Sequence, residues 1–377
     1  MISPELFYNE LNCRGVEFFT GVPDSLLKSL CAYIADHVPA SRNIIAANEG
    51  GAVGLAAGYH LATGKIPVVY MQNSGLGNTV NPLMSLTDRL VYNIPVLLVV
   101  GWRGEPGVKD EPQHLKQGLV TEALLDAMGI RHEILVDDEN ALAAQVEGAI
   151  QYIRQTGEAF ALIVRKGTFA PYQLQSVVAS PLSLSRERAI QLVASSLTDH
   201  DAIVSTTGMI SRELFEYRVA VGHGHHQDFL TVGSMGHASQ IALGIALNQP
   251  GRRVFCFDGD GAAIMHAGGL AIIGTMAPAN YYHVVFNNGA HDSVGGQPTV
   301  GLRVDIPAMA RACGYKTVIT VDNEDDLKAQ LGRLDQYGTP LLLEVKVKKG
   351  ARADLGRPTT TPIQNKNALM DFLSKEQ

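Results

Sequence analysis

Two polar residues in the second half of the chain could together bind a metal ion. Asp260 and Asn288 each come shortly after an apolar run, at 254–257 and at 283–286, that predicts a buried strand. If these strands are parallel neighbours, both side chains lie at the same carboxyl edge of a sheet, where open α/β sheets bind ligands. A carboxylate, a side-chain amide and a loop carbonyl are hard oxygen ligands, which suit Mg²⁺.

The glycines around Asp260 could also accommodate a diphosphate. Gly259 and Gly261 allow the backbone to approach a ligand closely. A helix predicted after Gly261 would direct its N-terminus toward the negative charge of the phosphates. An isolated Gly-Asp-Gly motif is also typical of a plain strand-to-helix turn. The second strand, which ends in Asn-Asn, favours the ligand site.

Glu49 is another position where chemistry is expected. It lies between a short predicted strand at 44–47 and a helix at 52–62 that is rich in glycine and alanine. As a structural residue it would interact favourably with the positive end of the helix dipole. A charge beside a tightly packed helix is nevertheless costly unless it has a partner or a function. Glu49 is therefore a candidate functional residue.

Length and composition indicate a large α/β protein. The chain has 377 residues, of which 46% are hydrophobic and 18% charged, and it contains 38 glycines, so two domains of ordinary size are expected. Its net charge of −7 argues against binding to nucleic acid or to acidic membranes. The sequence shows no basic-then-apolar leader and no apolar stretch of membrane-spanning length, so we expect a cytoplasmic protein.

The two halves of the chain share a pattern of a small-residue helix, a buried strand and a glycine turn. Such a long-period repeat predicts two duplicated structural units. The corresponding positions are Gly50 and Gly236, Gly58 and Gly244, the strands 68–71 and 254–257, and Gly75 and Gly261.

These motifs resemble those of the thiamine diphosphate enzymes, whose cofactor motif is Gly-Asp-Gly followed by Asn-Asn. The resemblance covers nearly the whole chain and implies two related three-layer α/β/α domains with parallel sheets. It implies a pyrimidine-binding domain at 1–168, a linker at 169–183, and a diphosphate-binding domain with a C-terminal tail at 184–377. Thiamine diphosphate and Mg²⁺ are the cofactors that the resemblance implies.

The resemblance also implies roles for particular residues. Asp260, Asn288 and the backbone carbonyl of Ala290 would bind Mg²⁺, Glu49 would protonate the pyrimidine ring, and Met235 would hold the cofactor in a bent shape. The expected cofactor-binding residues are Glu49, Thr207, Gly208, Gly233, Ser234, Met235, Gly259, Asp260, Gly261, Ala262 and Asn288.

The compact layout, with a short linker in place of a central domain, resembles the phosphonopyruvate and sulfopyruvate decarboxylases of this family. The segments that carry this resemblance are 21–25, 48–50 with 56–60, 102–104 and 110–114. It implies non-oxidative decarboxylation of 3-phosphonopyruvate through the ylid of thiamine diphosphate, in phosphonate biosynthesis. Both domains on one chain favour the phosphonate substrate. The alternatives are sulfopyruvate decarboxylation, or another thiamine-dependent decarboxylation or carboligation of a 2-oxo acid.

The resemblance to related decarboxylases implies a proton donor in the first domain, and substrate-binding cations are expected in the first domain and in the C-terminal tail. His114, in a loop predicted over 101–114, is the first candidate for the proton donor, and Asp24 with its neighbour Ser25 is the second. The anionic head group of the substrate requires cations, and arginine suits bidentate binding of a phosphonate. The candidate cations are Arg103, Lys109, Arg352 and Arg357.

Two further expectations concern assembly and an alternative class of function. Family members usually form the cofactor site from different subunits, so a homodimer or larger homo-oligomer is expected. A nucleotide-binding regulatory module is the alternative from another class, but the chain lacks both the Gly-x-Gly-x-x-Gly motif after a strand and the Walker lysine pattern.

Overall fold

The structure is a computed structural model that describes residues 1–176 and 180–375. The chain divides into two compact units, Met1–Val178 and Ala179–Gln377. The boundary between the units falls within the predicted linker at 169–183, of which residues 177–179 lie outside the described residues. No helix in the described ranges is long and apolar enough to cross a membrane.

The first unit is a six-stranded sheet with helices on both faces. All neighbouring strands are parallel, in the order β2-β1-β3-β4-β6-β5. The strands are β1 Phe19–Gly21, β2 Asn43–Ile45, β3 Val68–Gln72, β4 Leu97–Gly101, β5 Arg131–Ile134 and β6 Phe160–Val164. The α-helices are α1 Pro4–Asn12, α2 Lys28–His37, α3 Glu49–Thr63, α4 Leu76–Pro82, α5 Pro112–Ala127 and α6 Glu139–Thr156.

The second unit has the same architecture, again with only parallel neighbours in its sheet, in the order β11-β12-β10-β9-β7-β8. The strands are β7 Ala202–Ser205, β8 Asp228–Leu230, β9 Val254–Gly259, β10 Tyr281–Asn287, β11 Thr317–Val321 and β12 Leu341–Lys346. The α-helices are α7 Arg186–Ser195, α8 Met209–Ala220, α9 Ala238–Asn248, α10 Asp260–Met265, α11 Gly268–Met276, α12 Ile306–Ala312, α13 Glu324–Leu331 and α14 Pro362–Leu373.

Side chains of the central strands alternate between two apolar clusters, one on each face of the sheet. In β6, Phe160 and Leu162 pack into one cluster and Ala161 and Ile163 into the other. In the second unit, the neighbours Phe257 and Cys256 of β9 divide in the same way. When a parallel sheet is covered on both faces, each of its strands is a continuous apolar run in the sequence, which is why these strands could be predicted. Two three-layer α/β/α units are thereby confirmed.

The two units are topological copies. Numbered within its own unit, each sheet has the strand order 2-1-3-4-6-5. The third strands start at Val68 and Val254, an offset of 254 − 68 = 186, and the fifth strands start at Arg131 and Thr317, where 317 − 131 = 186 as well. The same offset relates the paired glycines of the sequence repeat. The repeat therefore reflects equivalent positions in two equivalent sheets.

One local prediction was wrong. The loop predicted over 101–114 is shorter than expected, because α5 begins at Pro112 and not near Leu119. Proline is favoured at the first helical position, since its fixed φ suits the helix and its missing N–H would have no partner there. His114 therefore lies in the first turn of a helix and not in a loop.

Candidate active site

Each sheet reverses its strand order beside its first strand, and several of the candidate residues lie at that point. The reversal falls between β1 and β3 in the first unit and between β7 and β9 in the second. Open α/β sheets bind ligands at the carboxyl ends of the strands that flank such a reversal. In the second unit, Thr207 and Gly208 follow β7, and Asp260 follows β9. In the first unit, Asp24 and Ser25 follow β1.

Asp260 is a buried carboxylate at the start of α10. Its side chain is held by the loop that follows β10: the backbone N–H of Asn288 lies 3.4 Å from Oδ1, and the hydroxyl of Thr299 donates to Oδ2. Burial raises the pKa of the Asp260 carboxyl to about 6, and the Thr299 hydroxyl counteracts part of this rise. No basic side chain in the described ranges forms an ion pair with Asp260, so a bound cation would relieve the cost of this buried charge.

Asn288 is oriented by its own loop. Its Oδ1 accepts from the N–H of Ala290 at 3.0 Å, and its Nδ2 donates to Asp292 Oδ2 at 2.7 Å. Gly289, between Asn288 and Ala290, has φ 64°, a left-handed conformation that favours glycine and turns the chain back. A carbonyl oxygen has two lone pairs, so Asn288 Oδ1 can accept from Ala290 and still bind a metal ion.

Asp292 is a site residue that sequence reasoning missed. Its Oδ2 accepts from Asn288 Nδ2, from Arg186 Nη1 at 2.8 Å and from the N–H of Gly350 at 3.0 Å. Arg186 in turn donates to both carboxylate oxygens of Glu213, at 2.8 and 3.0 Å. An acidic residue near Asn288 is visible in the sequence, but nothing there indicates a partner 106 positions away.

Met235 and Gly261 come together at the crevice of the second unit. Ser234 and Gly236, on either side of Met235, both have positive φ, 53° and 84°. Met235 therefore lies in a turn between two residues in the left-handed conformation. A Cβ on Gly261 would lie 3.4 Å from Met235 Cε and 3.2 Å from His291 Cε1. Gly261 therefore lies close to both side chains, and a Cβ there would require them to shift slightly.

The remaining cofactor candidates of the second unit have fixed places in the same region. Gly208 precedes α8 with φ 97°, and Gly259 precedes α10 in an extended conformation. Ala262 is buried in the first turn of α10, and Gly233 lies just before the Met235 turn.

Glu49 is the first residue of α3 and is buried, with 6% of its surface exposed. Asn78 Nδ2 donates to its Oε2 at 2.8 Å, and a Cβ on Gly75 would lie 2.7 Å from its Oε1. The helix is capped by Asn48, whose side chain accepts from the N–H of Gly51. Glu49 is therefore not needed to cap the helix. Its carboxylate contacts the segment that follows β3, which carries Gly75 and Asn78. Asn78 was not predicted from the sequence.

Asp24 is fully buried after β1. Its Oδ2 accepts from the N–H of Leu26 at 3.0 Å, and its Oδ1 has no hydrogen-bond partner among the described residues. A side chain on Gly101, at the end of β4, would overlap this carboxylate. Burial raises the pKa of Asp24 to about 6, opposed by the Leu26 hydrogen bond and by the charge of Arg103.

Arg103 joins the predicted residue Ser25 to Asp110, which was not among the predicted site residues. It donates to Asp110 Oδ1 and Oδ2 at 2.5 and 2.8 Å and to Ser25 Oγ at 2.6 Å. Burial opposes ionisation of Asp110, but the hydrogen bonds from Arg103 outweigh it and hold the pKa of that carboxyl well below its usual range. Lys109 beside this pair is exposed.

His114 is buried where the loop after β4 meets α5. Its Nε2 lies 3.5 Å from Gln113 Nε2, and a side chain on Gly104 would overlap its carbonyl oxygen. Trp102 Nε1 donates to the carbonyl of Gly118 at 2.9 Å, which fixes the loop against the helix. The backbone around His114 is therefore closely packed.

Arg352 in the C-terminal tail lies in a more acidic environment than expected. Arg352 pairs with Glu187 at 3.0 Å, with Asp354 at 3.1 Å and with Glu216. Arg352 also lines a cavity of about 320 Å³ together with Asp292. Arg357 is exposed in the same tail. With three carboxylates around it, Arg352 is a weaker anion-binding candidate than its position in the sequence indicated.

Comparison with known proteins agrees with this geometry. Residues 4–130 match the thiamine pyrophosphate enzyme N-terminal TPP binding domain, and residues 206–345 match the C-terminal TPP binding domain. The phosphonopyruvate decarboxylase of Streptomyces viridochromogenes is 35% identical over 375 residues, covering 96% of this chain and 92% of the relative.

Two further relatives are similar over most of their length. The phosphonopyruvate decarboxylase of Streptomyces hygroscopicus is 34% identical over 391 residues, covering 100% of this chain and 95% of the relative. The sulfopyruvate decarboxylase of Methanosarcina acetivorans is 29% identical over 333 residues and covers 82% of each chain. Together with the two matched domains, this similarity shows that the chain belongs to the thiamine pyrophosphate enzyme family.

Proposed function

We propose that the chain catalyses the non-oxidative decarboxylation of 3-phosphonopyruvate. Loss of CO₂ and gain of a proton convert this substrate into phosphonoacetaldehyde. The observation that carries the proposal is the buried carboxylate of Asp260 beside Asn288, which has no ion-pair partner among the described residues, in a chain that aligns almost end to end with two phosphonopyruvate decarboxylases. Family membership argues against the alternative of a nucleotide-binding regulatory module.

The residues of the second unit fit Mg²⁺ and a diphosphate. Asp260, Asn288 Oδ1 and the carbonyl of Ala290 supply the hard oxygen ligands that Mg²⁺ prefers. Gly208 and Gly259 directly precede α8 and α10, and the free N–H groups in the first turn of a helix are suited to binding an anion. The Thr206 hydroxyl is buried without a hydrogen-bond partner among the described residues, so it too could bind a phosphate oxygen.

Glu49 is proposed to hold and exchange a proton with the pyrimidine ring. Asn78 occupies its Oε2, which leaves Oε1, on the side of Gly75, to carry the proton. When bound, thiamine diphosphate supplies the carbon nucleophile and the electron sink that decarboxylation of a 2-oxo acid requires. Met235 would support the cofactor from the second unit.

Asp24 and His114 remain the two candidates for the group that protonates the carbon after CO₂ leaves. Asp24 is buried, its pKa is raised to about 6, and its Oδ1 is unpartnered among the described residues. A general acid works best when its pKa lies near the working pH, and this favours Asp24. His114 lies in the rigid first turn of α5, where its side chain is also buried.

For the anionic head group we propose Arg103, assisted by Lys109. Arg103 lies beside Ser25, at the crevice of the first unit, and its planar guanidinium suits a tetrahedral oxyanion. It would have to share its donors with Asp110. Arg352 and Arg357 are the second choice, because three carboxylates already surround Arg352. Phosphonate and sulfonate both present oxyanions, so these residues do not separate the two substrates.

The decisive experiment is a substrate comparison. The purified chain is supplied with Mg²⁺ and thiamine diphosphate and then with 3-phosphonopyruvate, sulfopyruvate or pyruvate, and both CO₂ and aldehyde are measured. We expect kcat/KM for phosphonopyruvate to exceed that for the other substrates by at least about tenfold, which corresponds to about 1.4 kcal/mol of preference. A preference for sulfopyruvate would instead support the alternative substrate.

We further propose that the active form is a homodimer or a larger homo-oligomer. The proposal rests on the usual assembly of the family. In support, the side chains of Leu55 and Leu61 on α3 are 40% and 74% exposed, although the helix is otherwise rich in small residues. Light scattering combined with size-exclusion chromatography measures the mass directly, and a monomer at assay concentrations would contradict the proposal.

A further inference from the structure

A chain of buried polar groups lies beneath the turn that carries Asp260. His283 on β10 and Asp258 on β9 are fully buried. His283 Nε2 lies 3.4 Å from Asp258 Oδ2, and on the other side of the ring Nδ1 lies 3.2 Å from the hydroxyl of Tyr315. These contacts link three segments that are far apart in the sequence.

This series of polar contacts ends on the backbone next to Asp260. Asp258 Oδ1 accepts from the N–H of Gly259 at 3.0 Å. Gly259 is the residue that precedes α10, and Asp260 is the first residue of that helix. The Asp258 carboxylate therefore bonds to the backbone of the residue at which the strand gives way to the helix.

His283 is well placed to fix the orientation of the Asp258 carboxylate. A buried carboxylate is costly unless a partner satisfies it. Among the described residues, His283 is the basic side chain in contact with Asp258, and Tyr315 holds the plane of its ring. Without the imidazole, Asp258 would have to rotate or recruit water, and its hydrogen bond to Gly259 would change with it.

We propose that His283 is a positioning residue for cofactor binding, which acts through Asp258 and Gly259 to set the carboxylate of Asp260. This inference rests on the cofactor-binding part of the proposed function and not on the identity of the substrate. His283 lies in the core of the sheet, so it acts through other residues and not by direct contact.

A buried metal ion is the competing explanation for this cluster. The ligand atoms of Cys256, Asp258 and His283 lie within 4.8 Å of one another, and such residues can bind zinc. The thiol of Cys256, however, is fully buried, and burial raises its pKa well above the usual range. The protonated thiol and the direct contact between His283 and Asp258 favour a hydrogen-bonded network.

The test measures the dissociation constant of Mg²⁺–thiamine diphosphate by calorimetry, alongside Tm, for three variants of the full chain. His283→Leu removes the partner of Asp258, and His283→Gln retains a donor. Cys256→Ala is the matched control, because it removes a buried side chain opposite His283 in the strand register and leaves the side chains of His283, Asp258 and Tyr315 in place. We expect His283→Leu to weaken binding about tenfold, His283→Gln at most about threefold, and Cys256→Ala not measurably, although both His283→Leu and Cys256→Ala lower Tm.

Three results would overturn the proposal. They are unchanged binding in His283→Leu, equal weakening in Cys256→Ala, and a stoichiometric transition metal in the native protein that both substitutions remove. If His283→Leu does not fold, Tyr315→Phe takes its place. We expect this variant to bind the cofactor about threefold more weakly, and unchanged binding would contradict the proposal. A native protein that binds the cofactor but does not consume phosphonopyruvate would refute the proposed substrate and leave this inference standing.

Discussion

Thr299 donates its hydroxyl to the carboxylate of Asp260, so the loop after β10 closes over the first turn of α10. The same loop carries Asn288, and the N–H of Thr299 donates to the carbonyl of Gly289 at 3.0 Å. The carboxylate and the amide proposed to bind Mg²⁺ are therefore held by one segment. Residues that orient metal ligands in this way commonly change metal affinity when they are replaced.

Thr299→Val should weaken Mg²⁺–thiamine diphosphate binding by about tenfold, because Asp260 loses its hydrogen-bond donor. Asp260→Asn should weaken it further, and a chelator should release the cofactor from the native protein. Binding is measured by calorimetry at fixed Mg²⁺. Thr275→Val, an exposed position on α11, is the control and should bind normally. Normal binding by Thr299→Val would show that the loop does not position Asp260.

Glu49→Gln should reduce kcat by about 10²- to 10⁴-fold while the cofactor still binds, because the amide cannot exchange a proton with the pyrimidine. Steady-state turnover and cofactor titration on the same preparation separate the two effects. Asn78→Ala, which removes only the hydrogen bond to Oε2, should have a smaller effect on kcat. If Glu49→Gln turned over at the native rate, the proposed role of this carboxylate would be wrong.

Gly75→Ala should mimic the loss of Glu49. The added Cβ would lie 2.6 Å from Glu49 Cγ and 2.7 Å from its Oε1, so the carboxylate must move. The backbone at Gly75 has φ −72°, which alanine adopts without strain. Gly77→Ala, two residues along, is a matched control because a Cβ there meets nothing within 4 Å. We expect a large fall in kcat for the first variant alone, with similar Tm for both.

These residues also show what the sequence could and could not predict. Both sheets, and the positions of Asp260, Asn288 and Glu49 after strands, were predictable because strand periodicity and glycine turns are local signals, whereas the roles of these three residues stay predictions. The partners that orient them, such as Asn78 for Glu49 and Arg186 for Asp292, depend on packing between distant segments. No pattern within one segment encodes those contacts.

The helical setting of His114 was missed for a different reason. The loop after β4 is rich in glycine and proline, and this composition predicted continued loop through residue 114. Pro112 instead starts the helix, because proline in the first turn is compatible with helix formation. The same residue type therefore supports two opposite predictions, and the packing of Gly104 against α5 decides between them.

Asp24→Asn should stabilise the protein at pH 8 and not at pH 4. Burial raises the pKa of this carboxyl from 3.8 to about 6, so its contribution to stability is present below the unfolded pKa and is lost as pH rises through 6. The shift corresponds to about 3 kcal/mol above pH 7. Urea unfolding at both pH values measures the difference. Asp110→Asn should behave oppositely and destabilise at pH 8, because Arg103 holds the pKa of Asp110 low.

Arg103→Lys should raise KM for phosphonopyruvate by about tenfold while the kinetics with pyruvate, which has no head group, stay nearly unchanged. Lysine keeps the charge but loses the planar fork that now spans Asp110 and Ser25. Arg352→Lys is the control, and its three neighbouring carboxylates imply no change in KM. Initial rates with both substrates measure the contrast. If Arg352→Lys raised KM and Arg103→Lys did not, the head group would bind at the C-terminal tail.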